Sequence, residues 1–404
     1  MYRISETSEV RDRRYEFIIL DDASINAFAA PGGIIGINTG MFIKTETEGQ
    51  FASVMCHELA HLSQRHYARS QQNNNPLTNA LILLGSVATA VVTANPQAIL
   101  IAPALIQQLA TNYTRENERE ADRIGFRNLV NAGFDPRSQS QMFQILQKSQ
   151  SGINEEYSYL FTHPIPKERI TDARIREENI DNQSNYRNSL EFYLVKARAE
   201  VANSKNLNSL KEFYLSKQKN NDNKIKLYKK YGLSLVLKEQ KKYEESFKAA
   251  RELLKEIPSN LIFQTNILEI HLAEGNSLEA ISIGERLLNV NSNNFSISYY
   301  LAKAYILDNN PEKAEEILIN LSKENPRDPT VWYELAEAQG LAGNIIGLHR
   351  SRAEYFILTG RYDSAIFQLR EGLKLSKNFF EIRESIINKL EQIYKTKRAL
   401  KDLT

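Results

Sequence analysis

Short apolar runs open the chain and helical periodicity replaces them further on. Tyr15–Leu20 (YEFIIL) predicts a strand, and Asn26–Gly40 (NAFAAPGGIIGINTG) predicts a Pro-Gly-Gly turn followed by a second strand over Ile34–Asn38. From Glu48 the period changes. Phe51, Met55, Leu59 and Leu62 recur at spacings of four, four and three, one buried stripe of an amphipathic helix. A further helix is predicted over about Asn112–Ala132, stopped by Gly133. Thr162–Pro166 (THPIP) predicts an extended loop, because each proline biases the residue before it away from helix.

After about Asp181 the texture becomes a series of Lys-, Asn- and Tyr-rich helices with short breaks. Small residues stand at Ser246, Ala280 and Ala314, each 34 residues after the last (280 − 246 and 314 − 280). That period with helix-turn-helix texture is the tetratricopeptide signature. Pro258 and Pro326 each follow a small residue by twelve. Trp332, Leu335, Ala336 and Gly343 open the next unit, and Gly360, Tyr362 and Ala365 are expected to continue in the same phase. The expected organisation is therefore an N-terminal domain over 1–180 and an all-α repeat solenoid over 181–404.

Between Arg69 and Arg115 there is no charged residue. The apolar blocks Ala80–Ala94 and Ala98–Leu109 each fall short of the roughly 18–20 residues needed to span a bilayer, and Pro96 and Pro103 would break a helix joining them. This region, 76–110 above all, reads as a buried helical hairpin or as an element touching a membrane surface or covering substrate. The 51 basic and 49 acidic side chains leave a net charge of +2, which argues against a nucleic-acid partner. Cys56 is the only cysteine, so neither an intrachain disulfide nor a cysteine metal cage can form.

The candidate chemistry sits on the first predicted helix. Cys56–Gln64 (CHELAHLSQ) contains His57-Glu58-x-x-His61. Residues four apart share a helical face, so both imidazoles can reach one cation, with Glu58 beside its open side as a general base. Zinc suits imidazole nitrogen, and one Zn2+ ion per chain is expected. A third histidine of the metzincin kind would need Gly at 64 and His at 67, where the chain has Gln64 and Tyr67. His66 is out of phase with the pair and reads as structural or superficial. Glu118–Asp122 (EREAD) supplies the alternative, a gluzincin pattern: Glu118 as third ligand, with Asp122 on the same face to accept the free N–H of His57 or His61. Glu116 and Glu120 read as solvated charge.

HELAH, followed 57 residues later (118 − 61) within TRENEREADRIG, resembles the metallopeptidases that include HtpX and the CAAX prenyl endopeptidases. NAFAAPGG, FTHPIPKERI and the C-terminal repeats narrow the resemblance to the periplasmic β-barrel assembly-enhancing proteases of Gram-negative bacteria. The resemblance implies an α+β zincin-like protease domain, mostly helical with a small sheet, ahead of the solenoid. It implies His57, His61 and Glu118 as zinc ligands and Glu58 as general base. It also implies that His163 of the THPIP loop can take the metal's fourth position and hold the enzyme latent; on residue type alone His163 is equally a plain loop histidine. It further implies periplasmic location, unfolded or misassembled outer-membrane proteins as substrates, and the β-barrel assembly machinery as a partner of the repeats. Such relatives carry an export signal and a helical segment ahead of the first strand. Here Met1–Arg14 is polar and the first strand follows at once, which reads as a processed or incomplete N-terminus.

The expected function is metal-assisted peptide hydrolysis. Ile34, Ile35, Gly36, Ile37 and Asn38 are expected to border the cleft and take the substrate as an added strand. Arg169 is a candidate for oxyanion or loop support. The competing expectation is a chaperone or adaptor whose repeats do the work while the zinc site is latent or vestigial.

Overall fold

The computed structural model describes residues 2–10, 12–30, 32–66, 115–149, 159, 163–180, 186–216 and 222–401. The charge-free Ser70–Thr114 segment, Tyr67 and Thr162 lie outside the described residues. The described residues form two compact units, one comprising those within 2–66, 115–206 and 222–229, the other 207–216 and 230–401.

The first unit begins with α1 (Tyr2–Thr7), followed by β1 (Glu16–Leu20), β2 (Ala27–Ala30) and β3 (Ile34–Asn38). The sheet order is β1-β3-β2. β3 runs parallel to β1, with Glu16 opposite Ile34 and Leu20 opposite Asn38, and antiparallel to β2, with Ala27 opposite Ile37 and Ala30 opposite Ile34. Gly32 and Gly33, at φ 90° and 81°, make the tight β2–β3 turn, and a Cβ on Gly33 would fall 2.3 Å from the Arg14 carbonyl oxygen. This order corrects one expectation. Ile34–Asn38 is the central strand, all five residues buried and both edges paired, so its backbone has no free row of N–H and C=O groups to receive a substrate. Among the described residues, the outer edges belong to β1 and β2.

α2 (Thr39–Lys44) leads into α3 (Glu48–Ser63), whose start is fixed by a capping box: Thr47 accepts from the Gln50 N–H and the Gln50 side chain accepts from the Thr47 N–H. α4 (Arg115–Asn131), α5 (Arg137–Ser149), α6 (Lys167–Glu178) and α7 (Leu190–Ala202) complete the unit's main helices. α3 packs along α4, α5 and β2. Its core-facing residues Ala52, Met55, Cys56 and Leu59 join Ile35, Ile37, Met41, Leu129, Met142 and Leu146 in one apolar cluster. α7 lies on α2, where the Lys196 ammonium donates to the Ile43 and Thr45 carbonyls at 3.0 and 2.6 Å and closes the C-terminus of α2.

The remaining helices are α8 (Leu207–Leu215), α9 (Asn223–Glu239), α10 (Tyr243–Glu256), α11 (Leu261–Glu274), α12 (Ser277–Val290), α13 (Phe295–Leu307), α14 (Pro311–Glu324), α15 (Pro329–Leu341), α16 (Ile345–Leu358), α17 (Tyr362–Leu375) and α18 (Phe380–Lys401). From α10 onward, each packs on the next in the sequence, as stacked repeats require. Ser246, Ala280 and Ala314 are fully buried at the helix crossings, as the 34-residue period predicts. A buried small residue twelve positions earlier pairs with two of them, as Ser234 does with Ser246 (Oγ to Oγ 3.2 Å) and Ala302 with Ala314. The same spacing recurs at Ala353 and Ala365, both fully buried in one cluster.

That recurrence corrects the expected phase. Ala365 follows Ala314 by 51 residues (365 − 314), one and a half periods rather than a whole number, and the in-phase position is the larger Leu348. The physical reason is that α16 serves twice. It packs on α15 as the second helix of one pair and on α17 as the first helix of the next. No helix among the described residues is long and apolar enough to cross a membrane.

Candidate metal centre

The site is built where α3 and α4 approach most closely. Gly125 makes the approach possible: a Cβ there would sit 3.0 Å from the His57 backbone nitrogen and 3.1 Å from the Cys56 carbonyl. Glu118 and Asp122 lie seven and three residues before it (125 − 118 and 125 − 122), on the stretch of α4 that faces His57 and His61. The loop before α6 brings in His163.

His57, His61, Glu118 and His163 are all buried, and one ligand atom from each lies within 4.8 Å of every other. The Nε2 atoms of His57 and His61 are 2.9 Å apart. His163 presents Nδ1, 3.4 Å from His57 Nε2 and 2.9 Å from Glu118 Oε1. Glu118 Oε1 is 3.3 Å from His61 Nε2. Ligands about 2.0–2.1 Å from a tetrahedral ion stand about 3.3 Å from one another, so these separations suit a small four-coordinate cation. The charge suits it too. Three buried carboxylates, Glu58, Glu118 and Asp122, share this cluster with the buried guanidinium of Arg169, so with its imidazoles neutral, as metal ligands must be, the cluster carries an excess of negative charge that a dication neutralises.

The same carboxylates govern the histidines. Burial disfavours charge on His57, but Asp122 and Glu118 outweigh it and raise its pKa to about 9. Burial depresses His61 to about 3, with Glu118 opposing. Burial also opposes charge on Glu118, yet the imidazoles around it, His163 foremost, hold its carboxyl well below the usual range. Glu58 is different. Burial pushes its carboxyl up, only partly offset by His163 and His57. Its Oε1 lies 3.5 Å from His163 Nε2 and has no hydrogen-bond partner among the described residues.

Asp122 Oδ1 lies 3.0 Å from His57 Nδ1, close enough for ion pairing although the N–H direction is poorly aligned. Arg169 is buried beside it. Its Nε and Nη2 donate to the two Asp122 oxygens at 2.7 Å each, and Nη1 donates to Glu118 Oε2 at 2.6 Å and to the Pro164 carbonyl at 2.7 Å. Four of its five N–H donors are thus committed to carboxylates and the loop. Arg169 supports the His163 loop through its bond to the Pro164 carbonyl, and one N–H of Nη2 is left beyond these four contacts.

Sequence reasoning missed three residues. Gly125 was legible only as part of a helix, since its role is a contact with His57, 68 residues earlier (125 − 57). Tyr159 stacks on His163 with ring centroids 4.6 Å apart, and its carbonyl accepts the His163 N–H at 2.8 Å. Glu120, expected in solvent, is only half-exposed and meets His66 at 3.0 Å. The phase argument for His66 holds: it is fully buried and its Nδ1 faces the outer side of His61.

The family model for peptidase family M48 matches residues 1–177, and one for tetratricopeptide repeats matches 271–339. The β-barrel assembly-enhancing protease of Escherichia coli (strain K12) is 33% identical over 361 residues, covering 87% of this chain and 73% of that protein. The protein of the same name from Yersinia pestis is 31% identical over 365 residues, covering 89% and 74%. The mitochondrial metalloendopeptidase OMA1 of Arabidopsis thaliana is 30% identical over 175 residues, covering 43% of this chain and 34% of the relative. Similarity at that level, sustained through both the metal-site half and the repeats, leaves one assignment: the chain belongs to peptidase family M48, alongside the β-barrel assembly-enhancing proteases.

Proposed function

We propose that this chain is a zinc-dependent endopeptidase of the cell envelope, in which residues 1–180 hydrolyse unfolded or misassembled outer-membrane proteins in the periplasm. The repeats over 181–404 would recognise substrate or the β-barrel assembly machinery. The observation that carries the reading is the convergence of His57 Nε2, His61 Nε2 and Glu118 Oε1 beside the buried, unpartnered Glu58 Oε1. A zinc ion held by His57, His61 and Glu118 would supply Lewis acidity and acidify a water toward neutral pH. Glu58, its proton affinity raised by burial, takes the water proton at Oε1 and passes it to the leaving amine. Arg169 and Asp122 hold Glu118 and His57 in place. An extended substrate would pair with the outer edge of β2, the strand that packs on α3.

His163 is the latency element of this reading. With Nδ1 among the ligand atoms, His163 would compete with water for the metal, which would keep the resting enzyme slow until the loop withdraws. The same feature favours a second reading, in which the resting chain serves as a chaperone or adaptor through its repeats. A casein-type or unfolded β-rich substrate tests both. Glu58→Gln should retain zinc and lose about 10²–10⁴-fold in cleavage rate, whereas His163→Ala should cleave faster than wild type. Undiminished turnover by Glu58→Gln would falsify the hydrolytic scheme, and a wild-type rate in His163→Ala would remove the latency element.

A further inference from the structure

The chain turns sharply where α3 ends. The Gln64 N–H reaches back to the Ala60 carbonyl at 3.0 Å and the Arg65 N–H to the Leu62 carbonyl at 3.1 Å. Arg65 adopts φ 52°, a left-handed conformation that is disfavoured for a residue with a Cβ. The reversal folds His66 back beneath His61. The two rings lie 5.0 Å apart at 75°, edge to face, and their Nδ1 atoms are 3.0 Å apart. On its far side, His66 Nε2 lies 3.0 Å from Glu120 Oε2. His66 is fully buried, and the Glu120 side chain is one-third exposed.

With His61 bound to a metal through Nε2, these contacts imply where the protons lie. His61 turns Nε2 toward His57 and Glu118, so as a metal ligand it keeps a lone pair there and its proton on Nδ1. That N–H needs an acceptor, and His66 Nδ1 is in place to accept it. His66 must then carry its own proton on Nε2, where the Glu120 carboxylate accepts it. Glu120 thereby fixes the tautomer of His66, and His66 fixes that of His61.

We propose that His66 and Glu120 form a positioning relay for the metal, a pair that orients His61 as Asp122 orients His57. α4 then supplies a ligand, Glu118, and the two carboxylates, Glu120 and Asp122, that steer the histidines of α3. The inference rests on the zinc reading and extends it to residues that touch neither ion nor substrate.

Zinc affinity of the full chain, measured by competition with a chromophoric chelator, tests the relay independently of turnover. His66→Phe and Glu120→Ala should each bind zinc about 10–100-fold more weakly than wild type. His66→Gln can still accept from His61 and donate to Glu120, and should stay within a few fold of wild type. A purely packing role for His66 predicts the reverse order, because phenylalanine fills the buried volume better than glutamine does. Should His66→Phe not fold, Glu120→Ala at the half-exposed end carries the test. Wild-type affinity in Glu120→Ala, or equal losses in the Phe and Gln variants, overturns the relay alone. A wild-type chain that takes up no zinc overturns the metal reading and the relay with it.

Discussion

Arg169 shows how much one buried side chain can hold together. It bridges Glu118, Asp122 and the Pro164 carbonyl, three groups from two separate segments, with its guanidinium over the Phe143 ring at 5.2 Å. Removing one partner of a buried charge cluster leaves the others uncompensated, at a cost of about 3–5 kcal/mol. Arg169→Met should therefore lose stability on that order in denaturant unfolding. Arg169→Lys should recover only part of it, because an ammonium cannot serve both carboxylates and the loop in the same planar fork. Wild-type stability in the methionine variant would show the cluster to be compensated elsewhere. The histidines give a pH signature as well. Asp122 and Glu118 raise His57 from 6.5 to about 9, whereas zinc takes the neutral ring, so loading must expel a proton. Below the raised pKa the protonated fraction competes with metal, so zinc affinity should weaken about tenfold for each unit that pH falls between about 9 and 6.5. An unshifted histidine would leave affinity flat over that window, which competition titrations at fixed ionic strength distinguish.

At the scale of elements, the site depends on how closely two helices can lie. Gly125 faces backbone atoms of α3, and these cannot swing aside as a side-chain tip would. Gly125→Ala should lift α4 by a few tenths of an ångström, cost about 1–3 kcal/mol, and weaken zinc binding because Glu118 rides on the displaced helix. Loss of stability with unchanged zinc affinity would mean that the ligands follow the shift. The helices themselves were legible: a stripe at Phe51, Met55, Leu59 and Leu62 is a local pattern, and the End at Gly133 appears as predicted, with φ 76°. The HExxH pair and the Glu118–Asp122 spacing were legible for the same reason, since residues four apart on one helix share a face whatever packs against it. Strand order was not. Ile34–Asn38 reads as a strand locally, but its central place depends on β1 and β2 both pairing with it, a choice made by chain segments on either side. Nor was the inward turn of His66, which follows from a single left-handed residue at Arg65 rather than from any period. The half-period slip at Leu348 is visible in the spacing once the twelve-residue pairs are compared, but extending the 34-residue period unbroken passes over it.

For the whole molecule, the two compact units imply two separable sources of stability. The first unit gathers its ionisable groups around a site suited to a cation, so whatever metal it binds in the folded state stabilises that unit by mass action. The second is a stack whose stability is close to a sum of helix-pair terms and interfaces between neighbours. Within it, α16 is the most exposed to a single fault, because it packs on α15 and on α17 and belongs to both pairs. Ala353 lies fully buried on its α17 side. Ala353→Leu would push extra volume into that crossing, with an expected loss of about 1–3 kcal/mol. Calorimetry of the full chain then separates the two effects. Chelator should lower the transition of the metal-site unit and leave the repeat transition in place, whereas Ala353→Leu should lower the repeat transition and leave the chelator response intact. One transition moved by both treatments would mean that the units unfold together, and the separation of metal chemistry from repeat stability would have to be abandoned.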